Sequence, residues 1–383
     1  MRQEIQATLS VLAALSKTIE ERAIARPATR MLRRGLWSRP LDFERDRVVL
    51  LFYEDFDRDR LVRGDRHLVR VARSLRDAAR RRQKTTGFRV AYEALARALR
   101  ADGWVVVEND YALARANPSY PIGVAGYTHI LDRWLLPNPV VLGPGLFDHP
   151  KLRPDLMKDP RFVRYIVPCQ WMMDLFAKTY GDRCGVWFAG LDMSEWPDLS
   201  SGPKDLDFIV YDKIRWDIEP MRARLRAPIE AELDRRGLSW ERLVYKHYDH
   251  AQYRALLRRA RGLIFLCEHE TQGLAYQEAL TANVPVLAWD SGVWHDPLRF
   301  DFGDDVVPAS SVPYFRDGVT GERFRDASDF GAALDRFVAP ARRTSFTPRR
   351  YVEENLALSV SARAYLDLYR EALREGISRS RPG

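Results

Sequence analysis

Apolar and polar positions divide the chain into short apolar runs separated by amphipathic stretches. Ile5, Leu9, Leu12 and Ile19 share one face at helical spacing, which predicts an amphipathic helix over residues 5–24. A basic segment with Arg22, Arg26, Arg30, Arg33 and Arg34 follows and closes at WSRP. The run RVVLLFYE reads as a buried strand, and the arginine-rich stretch 58–84 as an inserted helix through Leu68, Val71, Ala72 and Leu75. Beyond a loop containing Gly87, an amphipathic helix through Ala91, Leu95 and Leu99 is predicted to stop at Gly103 and lead into a strand at Trp104–Val107. Strand, helix and strand make a βαβ unit, and PIGVAGY, PVVLGPG and RYIVP extend the series.

The stretch DMSEWPDLSSGPKD has the Ser, Gly and Pro content of a linker, and after it the series restarts. A strand at Phe208–Tyr211 leads to a loop with Lys213 and Arg215, then to a helix starting near Pro220. Later strands are expected in RLVYKHY, GLIFLC and VPVLAW. The expected fold class is therefore α/β, with two Rossmann-like domains facing each other across a cleft. The expected divisions are an N-terminal amphipathic and basic segment 1–45, a first domain 46–198, a second domain 199–345, and a C-terminal helix and tail 346–383.

Composition narrows the function classes. At 383 residues the chain exceeds one compact core of typical size, and 46% hydrophobic with 30% charged residues argues against extensive disorder. The three cysteines, Cys169, Cys184 and Cys267, have no C-x-x-C spacing, so neither a disulfide framework nor a thiolate metal site is expected, and a reducing cytoplasm fits. Apolar runs are of strand length, so no integral membrane span is expected. The net charge of +8 points to polyanionic partners: nucleic acid, anionic lipid or a diphosphate. No nucleic-acid-binding motif is apparent, and the aromatics do not interleave with the basic runs, so nucleic acid is not an expected partner. Peripheral contact of the N-terminal segment with anionic membrane is the sharper reading of its basic helix, and packing on the body the plainer one.

The most informative stretch is ARGLIFLCEHETQGLAYQEALTANVPVLAWDSGVW. It reads as a strand at Leu263–Leu266, a loop at Glu268–Gln272, a helix at Gly273–Ala282 and a left-handed cap at Asn283. Amides at Gly273 and Leu274 lie at a helix start, where partial positive charge favours phosphate, and Gly273 leaves room for close approach. Glu270 and Glu278 bracket that start as acceptors for hydroxyl donors. Both are read as polar positions facing a cleft and contributing little to the core.

This segment resembles the signature of glycosyltransferase family 4, retaining enzymes of the GT-B fold: Glu270, Gly273, Leu274, Glu278, Ala279 and NVPVLAWDSG stand in register. The segments IVPCQWMMDLF, PYFRDGVTGERF and YVEENLALSVSARAYLDLY resemble further parts of the family pattern, and the likeness covers most of residues 85–370. The resemblance implies transfer of a sugar from a nucleoside diphosphate sugar (uridine or guanosine) to a carbohydrate, lipid-linked or other hydroxyl, as in polysaccharide or glycolipid synthesis. It implies that Glu278 holds the ribose, that Glu270 holds the sugar, and that Gly273, Leu274, Thr271 and Gln272 line the donor. Lys213 and Arg215 occupy the region of the family's diphosphate-neutralising basic pair, with shorter spacing than usual. Gly87 matches the place of a glycine-rich loop that is normally a double glycine. His149, on a loop after a first-domain strand, is the expected histidine of the cleft, with His129 a rival. No metal-binding carboxylate pattern such as D-x-D is read on a cleft strand, consistent with a metal-independent family that needs no cofactor. The alternatives are a nucleotide-sugar epimerase of the same fold, distinguished by product without acceptor, and a basic nucleic-acid-binding scaffold, distinguished by steep salt dependence.

Overall fold

The computed structural model describes residues 39–54, 87–131, 134–304, 306–339 and 345–380. The expected helix and basic segment at 5–34, and the helix in the arginine-rich stretch 58–84, lie outside the described residues.

The first sheet contains β1 (Val48–Glu54), β2 (Val105–Glu108), β3 (Ile122–Tyr127), β4 (Val140–Leu146), β5 (Phe162–Val167) and β6 (Cys184–Val186), in the order β2-β1-β3-β4-β5-β6. The second contains β7 (Leu206–Lys213), β8 (Trp240–Val244), β9 (Ala260–Cys267), β10 (Val286–Trp289) and β11 (Gly321–Phe324), in the order β11-β10-β9-β7-β8. Every strand pairing is parallel. These are the two parallel-sheet α/β domains expected of the sequence. Strands buried on both faces explain the unbroken apolar runs: six of the seven residues of β1 and the last six of β9 are buried.

Helix α1 (Gly87–Ala101) buries Tyr92, Leu95, Ala96 and Leu99, the stripe that 3.6-residue periodicity dictates. Gly87 is its first residue, where a glycine loop was expected. Short α2 (Tyr111–Ala116) follows β2, and α3 (Gln170–Tyr180) follows β5. In the second domain the helix expected near Pro220 begins at Ile218, passes through a π segment at Arg222–Arg226 and continues as α4 (Ala227–Arg235). Helices α5 (His250–Arg259), α6 (Leu274–Thr281) and α7 (Ala327–Val338) complete this layer. The expected terminal helix is two, α8 (Pro348–Asn355) and α9 (Leu358–Ser380). Among the described residues no helix is long and apolar enough to cross a membrane, and the three cysteines are free and buried.

Helix α9 returns to the first domain and packs on α1, β4 and β5, so Tyr365, Leu366, Tyr369 and Ala372 belong to that domain's core. It can approach the sheet because Gly123 has no side chain; a Cβ there would stand 2.0 Å from the Tyr365 hydroxyl. Pairing of β1 with β3 begins only at Leu51, and the Tyr369 hydroxyl accepts the preceding amide of Leu50 at 3.0 Å while donating to the Pro121 carbonyl. Tyr369→Phe strands both backbone groups in a fully buried site, a loss of about 1–3 kcal/mol. The urea midpoint is expected to fall while the far-ultraviolet circular dichroism of the native protein stays unchanged.

Candidate functional site

Both sheets have a switch point, where the strand order reverses: between β1 and β3 in the first, and between β7 and β9 in the second. Such points, beyond the carboxyl ends of the strands, leave a crevice between diverging crossovers. The two carboxyl edges face each other. From the first domain, the Trp171 indole near the start of α3 donates to the Glu270 carbonyl at 2.8 Å, and the Ala189 amide donates to the Gln272 side chain at 2.8 Å. From the second, the Tyr314 hydroxyl donates to the Pro168 carbonyl.

Lys213 is the last residue of β7, and Glu270 stands in the loop between β9 and α6; their ammonium and carboxylate are in direct contact. The Cys267 thiol, 3.3 Å from the same carboxylate oxygen, and the Tyr245 ring, 4.5 Å from the ammonium, enclose the pair. Burial pulls the Lys213 ammonium down, yet the Glu270 carboxylate more than offsets this and its pKa stands above the ordinary value. Burial pushes the Cys267 thiol well up. Glu270 is 9% exposed, so the expectation of a carboxylate contributing little to the core is corrected: it is the counter-ion of the half-buried Lys213.

Arg215 does not join Lys213. Its guanidinium reaches the His269 carbonyl, stacks on Trp216 at 4.3 Å and lies 3.6 Å from Glu268. Glu268 accepts the amides of Arg215 and Trp216 at 2.7 and 3.1 Å, so these residues set the loop and leave the ammonium of Lys213 as the cation beside Glu270. His269 stacks on Trp216 at 4.9 Å; burial, with the charges of Arg215, His295 and Lys213, drives its pKa down to about 2 and keeps it neutral.

Gly273 has φ +74 and caps α6, and a Cβ there would run into the Tyr276 ring at 2.1 Å. Leu274 opens the helix as expected. Thr271 is half-buried in the loop, and the Gln272 side chain is committed to Ala189 and Gln277. Glu278 lies one turn into α6, half-buried, with its pKa raised to about 8 by loss of water, opposed by Arg254 and reinforced by Glu195.

His149 is not a side chain of the open cleft. Its ring is fully buried, 4.1 Å from Phe302 and 6.2 Å from Trp294 in near-parallel stacks; Nδ1 accepts the Lys151 amide and Nε2 lies 2.8 Å from Asp304. Burial lowers its pKa despite Asp304. It clasps the second domain. His129 instead occupies the turn after β3, 3.4 Å from Glu54 at the end of β1, and this pair marks the switch point of the first sheet. Glu268, Cys267 and Trp171 are additions to the sequence-derived set. Of these, Glu268 alone has a local signal, the E-x-E spacing that it makes with Glu270. Among the described residues no cluster of three or more His, Cys, Asp or Glu has the arrangement of a metal site.

No protein-family model matches the chain, and no curated protein matches it in sequence. Solved structures similar to it include the apo form of the lipopolysaccharide outer core galactosyltransferase WaaB, at 8% identity and TM-score 0.47 over 84% of this chain and 98% of that one. A point mutant of S. aureus TarM in complex with Fondaparinux, alpha-GlcNAc-glycerol and UDP is 11% identical with TM-score 0.47, over 67% of this chain and 56% of that one. The GtfA/B complex is 12% identical with TM-score 0.44, over 62% and 54%. The chain thus spans little more than half the length of the last two. Likeness this distant assigns neither chemistry nor specificity.

A carboxyl held near 8 in the native state and near its ordinary value when unfolded binds more protons folded than unfolded. Its effect is absent below pH 4.5 and grows as a destabilisation while the pH rises towards about 8. Glu278→Gln removes it. The variant is expected to melt above the wild type at pH 8 and level with it at pH 4.5, as thermal unfolding at the two pH values will read.

Proposed function

We propose that this chain is a glycosyltransferase of the GT-B type, transferring a sugar from a nucleoside diphosphate sugar to an acceptor hydroxyl. The observation that carries the reading is the contact between Lys213 and Glu270 at the switch point of the second sheet, beside the start of α6. A half-buried ammonium and a helix N-terminus are two features that favour a departing diphosphate, because negative charge grows on it as the glycosidic bond breaks. The motif joining Glu270, Gly273, Leu274 and Glu278 supports the same site.

In this mechanism the diphosphate takes the Lys213 ammonium and the amides that open α6. Glu270, released from part of its ion pair, accepts hydroxyls of the sugar, whose ring flattens and gains positive charge in the transition state. Glu278 accepts ribose hydroxyls. The acceptor hydroxyl enters from the first domain, beside Glu54 and His129. Retention of configuration follows the family resemblance: the acceptor approaches the face that the diphosphate leaves, and a phosphate oxygen takes its proton. With Lys213 and helix amides holding the diphosphate, no divalent ion is required.

A thermal-shift panel of UDP, GDP, ADP and dTDP sugars is expected to yield a stabilising donor. With that donor at about pH 9, where the Glu278 carboxyl is ionised, Glu278→Gln should weaken binding about ten- to a hundredfold, and Glu270→Gln should lower turnover by a similar factor more than it lowers affinity. Calorimetry and initial rates separate the two, and wild-type behaviour in both variants would remove the site.

Turnover with the same donor should be unchanged by EDTA. Loss on chelation, with recovery in manganese or magnesium, would show that Lys213 does not neutralise the diphosphate alone.

A further inference from the structure

The loop carrying Glu270 is anchored from both domains. Within its own domain, the Glu270 amide donates to the Ser310 carbonyl at 2.9 Å, and Glu268 is tied to the amides of Arg215 and Trp216. From the first domain come the Trp171 indole on the Glu270 carbonyl and the Ala189 backbone on Gln272. The Trp171 ring stands edge-on to His269 at 6.0 Å and tilted against Trp294 at 6.1 Å, and Trp294 stacks on His149. An aromatic seam therefore crosses the joint from His149 through Trp294 and Trp171 to His269. At its far end the Trp171 N–H holds the carbonyl of Glu270, the residue whose carboxylate meets Lys213.

We infer that Trp171 is a positioning residue that ties the seating of Glu270 to contact between the two domains. The inference rests on the donor-site reading for its catalytic meaning. Separation of the domains breaks the indole bond, and of the bonds to the Glu270 peptide among the described residues the Ser310 anchor remains. Its carboxylate then loses the alignment with Lys213 that the closed joint imposes. Glu270 is thus set for the sugar only when the first domain, with the acceptor, is in place, which couples chemistry to exclusion of water.

The test uses the full-length protein as wild type, Trp171→Phe and Trp171→His. Phenylalanine keeps an aromatic ring in the seam and lacks the N–H; histidine restores a ring donor. Hydrogen–deuterium exchange at residues 268–274 is expected to rise about tenfold in Trp171→Phe, with exchange in both sheets unchanged, and to return towards wild type in Trp171→His. With UDP-glucose, or the panel member giving the largest thermal shift, kcat should fall about tenfold and KM change less than twofold. Unchanged exchange in Trp171→Phe, or a loss carried by KM alone, overturns the assignment. If no nucleotide sugar binds the wild type, the donor reading fails, and the exchange data still decide whether Trp171 seats the loop.

Discussion

A parallel strand pair can be joined only by a crossover, and that constraint organises this molecule. Every strand here pairs in parallel, so each chain segment leaving a strand emerges at the same edge of its sheet. Chemistry-bearing residues scattered over the sequence collect there. Glu54 and His129 gather at one edge, and Lys213, Cys267 and Glu270 at the other. With the two edges turned towards each other, groups from both domains meet between them.

Burial then sets the character of that place. An ammonium and a carboxylate shielded from water cost several kcal/mol each in lost hydration, and only their mutual contact, supplemented by the Cys267 thiol and the Tyr245 ring, offsets it. Such a pair is sensitive to any incoming anion, because Lys213 can exchange one negative partner for another without becoming unpaired. Glu278 shows the complementary situation. Its carboxyl is half-buried, and loss of water raises its pKa against the opposing charge of Arg254.

The joint between the domains is built from rings and backbone bonds with few full charges. His149 inserts between Phe302 and Trp294, Tyr314 reaches Pro168, and α9 returns the chain's end to the first core. Stacked rings tolerate small sliding better than an ion-pair network would, while the hydrogen bonds of Trp171 and Gln272 register the closed position. The His149 ring is fully buried in this seam, stacked on Phe302 and in contact with Asp304.

Local periodicity and turn chemistry determined much of this structure from sequence alone. The apolar runs of β1, β7 and β9 are visible because burial on both faces leaves them unbroken, the stripe of α1 because helical spacing repeats over fifteen residues. Asn283 has φ +64, as its place between α6 and Pro285 indicated. The Glu270, Gly273, Leu274 and Glu278 spacing is equally local, and could be read without knowing what surrounds it. Tertiary structure alone decided the rest. Strand order, the short β11, the pairing of Lys213 with Glu270, the turning of Arg215 towards Glu268 and the closure of His149 against Asp304 join residues from 53 to 155 positions apart, or depend on which crossovers cover which face. No periodic signal along the chain records such contacts, because each arises only once the two sheets have formed and their edges have met.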